Sequence, residues 1–205
     1  MTVDRPVCYC QAMATKTAEK LSARDRLLNS ADELFYREGV NSVGIDRIIE
    51  HAGVAKATLY SAFGSKDELI RAYLERRHDE RAERMTRELA ARFDNPRDAM
   101  LGVFDILGDA IVRPTFRGCA FIAASAEAAP GSTVEEVSDT ARAWIRDLFS
   151  GLAKQAGAKS PKALGLQLAM LYDGAVVTAR MDRNRQAAEI AKSIATSLVD
   201  AAIPA

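Results

Sequence analysis

Apolar residues recur at helical spacing over most of the chain. Leu27, Leu28, Ala31, Leu34 and Phe35 form the kind of stripe that an amphipathic helix turns towards a core. Ser22 with Asp25 three residues on predicts the start of that helix, a hydroxyl cap and an acid in the first turn. Gly39 predicts its end. Ile45, Ile48 and Ile49 give the buried side of a second, short helix that stops at Gly53. A third covers about residues 55–63, with Leu59 and Phe63 four apart on its inner side. Ser65 and Glu68 make a capping box for a long fourth helix. Ile70, Tyr73, Leu74, Met85 and Leu89 carry its apolar side towards Phe93.

The pattern continues in the same style. Asn95-Pro96 is a cap followed by a first-turn proline, and Met100, Leu101, Phe104 and Leu107 follow it. Pro114 interrupts. A short helix over 119–128 ends at Pro130-Gly131. Ser132 and Glu135 open another, to about Ala156. Ser160-Pro161 opens one to about Met181, and Asn184 is expected to cap the last, to about Ala202. Runs of β-branched residues between turns are missing, so the fold class is all-α, with nine or ten helices. Residues 1–20 show no sustained periodicity and read as a flexible tail. Met13 is an alternative start to Met1, which would leave Cys8 and Cys10 without a role.

Composition narrows the function. The 205 residues include 28 basic and 28 acidic side chains, a formal net charge of +0. Any attraction to nucleic acid must therefore be a local patch. Two histidines (His51, His78) and three cysteines (Cys8, Cys10, Cys119) show no metal-ligand spacing, so neither metal nor cofactor is expected. With no secretory signal and no disulfide framework, a reducing cytoplasm is the expected setting. The most apolar stretch, Leu164–Ala179, is broken by Gln167 and Asp173 and is shorter than the roughly 20 residues a membrane span needs. There is no phosphate-cradling glycine loop, metal-spaced histidine pair or nucleophile elbow, so an enzyme is not expected.

The segment Gly53–Leu69 carries the most specific chemistry. Its short helix has an apolar side for packing and an opposite side with Lys56, Ala57, Tyr60 and Ser61. A helix entering the major groove needs small or polar groups towards base edges. Ala57 suits a thymine methyl, and Thr58 and Ser61 offer hydroxyls. Tyr60 can donate to a phosphate, and Lys66 stands at a helix N-terminus, which also attracts phosphate. Arg47 is either a further phosphate contact or a solvated charge.

These residues, with Ser22, Phe35, Gly39, Ala52-Gly53-Val54, Phe63, Ser65-Lys66 and Leu69, resemble the N-terminal domain of the TetR family of bacterial transcriptional repressors. The resemblance implies a tail (1–20), a three-helix helix-turn-helix DNA-binding domain (21–65) and a helical ligand-binding and dimerisation domain (66–205). It implies that Lys56, Thr58, Tyr60 and Lys66 meet mainly the DNA backbone, with Ala57 and Ser61 nearer the bases. Ala55 departs from the family, which often has Ser or Thr there as a helix cap; packing by Leu59 and Phe63 must compensate.

The implied function is a ligand-responsive regulator, a repressor that binds a (pseudo)palindromic double-stranded operator as a homodimer and is released by a small-molecule effector. Phe104, Phe116, Phe121, Trp144, Met170, Tyr172 and Asp173 are candidate pocket residues, though Asp173 also suits a structural pair with Arg142 or Arg180. Leu164–Ala179 is apolar on nearly all sides, as expected of a helix buried on more than one face. With the final helix it would build the two-fold interface. The alternatives are a helical protein-binding adaptor with a DNA-binding head, and a thiol-based redox regulator acting through Cys119.

Overall fold

The computed structural model describes residues 21–203. The expectations for the tail, including Met13, Cys8 and Cys10, lie outside the described residues. Nine helices are present among them and no strand: α1 (Ala23–Glu38), α2 (Ile45–Ala52), α3 (Lys56–Phe63), α4 (Lys66–Arg92), α5 (Pro96–Ile111), α6 (Ala120–Glu127), α7 (Thr133–Gln155), α8 (Pro161–Met181) and α9 (Ala187–Ala202).

Most of the starts are those the sequence predicts. The side chains of Ser22, Ser65, Asn95 and Ser132 accept from the backbone N–H groups of Asp25, Glu68, Asp98 and Glu135. Each satisfies one of the donors a helix N-terminus leaves unpaired. Two details differ. The Glu135 carboxylate reaches past Ser132 to the N–H of Gly131. Asn184 does not cap α9; its Oδ1 accepts from the Gln186 N–H at 2.8 Å in the preceding turn, and the helix begins at Ala187.

Apolar side chains gather in two clusters. One joins α1–α3 to the first turns of α4, with Leu27, Leu34, Ile48, Leu59, Leu69 and Leu74 at its centre, and continues into Phe121 of α6 and Val137 of α7. The other fills the body between α4, α5, α7, α8 and α9, around Met100, Phe104, Phe149, Leu168 and Val199. The α7–α8 crossing is close because Gly165 lacks a side chain: a Cβ there would lie 2.8 Å from the backbone nitrogen of Ser150.

Polar joints tie the first three helices to the body. Tyr36 donates its hydroxyl to the Gly118 carbonyl (3.0 Å) and accepts the Arg117 N–H (2.9 Å). Asn41 gives its backbone N–H to the Glu127 carboxylate and its side-chain amide to the Glu127 carbonyl. Arg77 of α4 forks onto both oxygens of Asp32 at 2.7 and 2.9 Å and stacks 3.7 Å from the Tyr36 ring centre.

α8 is two-sided. Leu164, Leu168, Tyr172 and Val176 face the core, while Leu166, Met170, Val177 and Met181 face outward. Met170 is 67% exposed and Met181 76%. α9 packs beside it and turns Ile190 and Ile194 outward. The apolar run predicted from the sequence therefore divides into a core side and an uncovered side.

Candidate nucleic-acid interface

The α2–α3 corner is built from backbone chemistry. Gly53 takes the left-handed conformation, φ +61°, and Val54 donates to the Ile49 carbonyl at 3.1 Å. Glycine adopts this geometry without the Cβ clash that penalises other residues. Arg26 of α1 braces the corner by donating to the carbonyls of Ala52 and Gly53. Ala55, at the cap position of α3, makes no side-chain bond, as the sequence leads one to expect; the Thr58 N–H bonds the Ala55 carbonyl instead. Leu59, with no exposed surface, pins α3 to the core, and Phe63 packs beneath the Arg24 guanidinium, 4.7 Å from the ring centre.

Lys56, Ala57, Tyr60 and Ser61 are all exposed on the face away from Leu59, Tyr60 by 45%. Thr58 is half-buried, as is Lys66 in the first turn of α4. Two cations are already engaged. Lys56 donates to Asp46 of α2 at 3.0 Å, and that hydrogen bond, with the carboxylate charge, raises the ammonium above its usual pKa. Arg47 forms a two-nitrogen pair with Glu38 of α1, one contact at 2.8 Å. The hydrogen bonds from Arg47 and then Arg37 hold the Glu38 carboxyl below its ordinary range. Arg47 is thus an α1–α2 tie in the free protein, a third role beside the two the sequence suggests. Residues 21–65 carry five Lys/Arg against six Asp/Glu. Net charge therefore supplies no attraction to phosphate at this face; only the placement of its cations and helix N-termini favours one.

A cavity of about 500 Å³ lies where α1 meets the body. Of the aromatic and acidic candidates, Phe116, Phe121, Tyr172 and Asp173 lie in its wall. Phe104 instead stacks on Phe149 in the body core, with ring centres 5.8 Å apart. Trp144 packs edge-on against His78, and Met170 faces away from the protein. Asp173 makes the structural pair, with Arg142 at 2.9 Å rather than Arg180. Cys119 also lines the cavity; burial pushes its thiol pKa up, which disfavours the reactive thiolate. Sequence reading missed Tyr36, Arg77 and Arg81 in the wall. The three-to-four spacing of Arg77, Arg81 and Arg84 on the fourth helix was a usable signal; that α1 would close over them was not visible.

The family model "Bacterial regulatory proteins, tetR family" matches residues 27–73, from within α1 into α4. A TetR-family transcriptional regulator from Streptomyces coelicolor is 33% identical over 89% of this chain and 96% of its own, and its crystal structure superimposes with a TM-score of 0.83. The chain belongs to the TetR family.

Another member, from Streptomyces avermitilis, is 32% identical over 89% of this chain and 98% of its own, with a TM-score of 0.78. Among curated relatives, the HTH-type transcriptional activator FasR of Mycolicibacterium smegmatis is 37% identical over 87 residues. That match spans 41% of this chain and only 40% of FasR. The HTH-type transcriptional repressor NemR of Escherichia coli is 30% identical over 105 residues, 53% of its length. As a TetR-family member the protein is a helix-turn-helix transcriptional regulator and not an enzyme. No helix among the described residues is long and apolar enough to cross a membrane.

Proposed function

We propose that this TetR-family protein is a ligand-responsive regulator that binds a two-fold operator as a homodimer, most simply as a cytoplasmic repressor released by its effector. The observation that carries the reading is the exposed row Lys56, Ala57, Tyr60 and Ser61 on α3, held by the buried Leu59 on a braced corner. In this reading Lys56, Thr58, Tyr60 and Lys66 meet phosphates, Ala57 and Ser61 approach base edges, and Arg47 adds a phosphate contact if it leaves Glu38. The uncovered apolar side of α8 and α9 supports the dimer, since an apolar patch rimmed by polar residues marks an association surface. Two reading heads a helical turn apart would match half-sites of a palindrome. The cavity supports an effector site: α1 forms one wall and the body the others, so an occupant that fits one placement of head on body better than another shifts DNA affinity.

Incubating the protein with its own upstream DNA tests this. A retarded complex that weakens steeply with salt is expected. Tyr60→Phe and Lys66→Ala should each weaken it to a similar degree across operator sequences. DNA affinity untouched by both changes would remove these residues from the interface. Relatives include both an activator and a repressor. Transcription from the bound promoter, with and without the protein, decides the sign.

A further inference from the structure

We propose that the effector is an organic anion: a carboxylate held by Arg81 and Arg117, with an apolar body lying against Phe116, Phe121 and Tyr172. This rests on the cavity being the effector site of the regulator described above.

Every acid in the wall already has a cation. Asp32 is forked by Arg77, Asp173 is held by Arg142, Glu33 lies 3.5 Å from Arg37, and Glu80 lies 3.8 Å from Arg76. Three wall cations have no carboxylate within ion-pair distance among the described residues: Arg81, Arg113 and Arg117. Arg81 gives one N–H to the Ala141 carbonyl at 2.9 Å, and its guanidinium sits over the Phe121 ring at 4.9 Å. Its Nε–H is buried without an acceptor. A buried charged donor left unpaired is costly, and an anion in the cavity would relieve that cost. Among the described residues the Arg117 guanidinium donates only to the neighbouring Phe116 carbonyl, at 3.4 Å. The Arg117 backbone is meanwhile fixed by Tyr36.

Two planar forks beside aromatic surface suit a carboxylate on an apolar body better than any alternative charge type. A cationic ligand would meet uncompensated arginines, and a neutral one would leave them desolvated without a partner. The volume of about 500 Å³ is within the range of small-molecule sites. Tyr36, in the α1 wall, touches both the loop that carries Arg117 and the fork of Arg77 on Asp32, so an anion gripping Arg117 acts on the head without a long relay.

The test uses the full chain and matched pairs of carboxylates and their primary amides: hexanoate through dodecanoate, and phenylbutyrate. Emission of Trp144, the single tryptophan, which lies 5.8 Å from Arg81, reports occupancy. Retention on upstream DNA is followed in parallel. At least one carboxylate should bind about tenfold or more tightly than its amide and lower DNA retention. Arg117→Gln, in an exposed loop, and Arg81→Gln should each reduce that preference. The proposal is overturned if no carboxylate outbinds its amide, if the preference survives both substitutions, or if binding leaves DNA retention unchanged. A carboxylate preference in a protein that never retains DNA would instead count against the operator-binding reading and leave the anion site standing.

Discussion

The reading face of α3 and the cavity under α1 are assembled in opposite ways. The face comes from one short stretch, Lys56 to Ser61, and its side chains project from a single helix into solvent. The cavity draws wall residues from Asp32 to Val176, on α1, α4, α5, α6, α8 and the loop before α6. A face made locally needs only a firm core beneath it. A cavity made from distant segments exists only while those segments stay packed, which is what allows its occupant to influence their arrangement.

Four variants and one pH profile test that contrast. The largest effect is expected from neither site directly. Met170→Glu with Ile194→Glu places charges on the uncovered side of α8 and α9, and sedimentation should show the dimer lost. Operator affinity should then fall by on the order of a hundredfold, because the second half-site no longer benefits from the first. Retained dimer would move the interface elsewhere. Next, Leu59→Ala empties the buried anchor of α3 and should cost about 3 kcal/mol in denaturant unfolding, with loss of DNA binding. If the face were independent of its core, DNA binding would survive. Lys66→Ala should be milder, lowering operator affinity by about 1–2 kcal/mol and reducing the salt slope by about one.

A smaller change of opposite sign is expected at the cap that α3 lacks. Ala55→Ser should raise thermal stability by about 1 kcal/mol, since a hydroxyl there can accept an N–H that now has no side-chain partner. The smallest effect concerns His78, beside the cavity's Arg81. Desolvation, and then the Arg81 charge, lower its pKa. The unfolded chain therefore binds this proton more readily. Stability should be full above about pH 6.5 and fall as pH drops from there through the lower folded value. Melting temperatures from pH 7.5 to 5, compared with His78→Gln, would show it; an unchanged profile in the variant would assign the pH dependence to other groups.

The helices and the α3 face were legible in sequence because both depend on local rules. Ser22, Ser65, Asn95 and Ser132 announce their helices by spacing alone, and each makes the expected backbone bond. The cavity was legible only in part. Phe116, Phe121, Tyr172 and Asp173 stood out as aromatic or oddly placed, yet Phe104, Trp144 and Met170 stood out equally and lie elsewhere. Periodicity says that a side chain faces inward; it does not say which of two clusters it enters. Asn184 illustrates a smaller limit: a good capping residue can spend its oxygen on the turn before the helix.

By itself the sequence determined an all-helical chain, the α2–α3 corner with its Gly53 turn, and which side chains of α3 face away from the core. These follow from 3.6-residue periodicity, capping and the conformational freedom of glycine, all set by near neighbours in the chain. Tertiary structure alone decided that Arg47 ties α2 to Glu38, that Lys56 leans on Asp46, and that Tyr36 of the head and Arg81 of the body share one cavity. Each of these joins side chains on different helices, and their partners are chosen by how the helices pack, which no local pattern records.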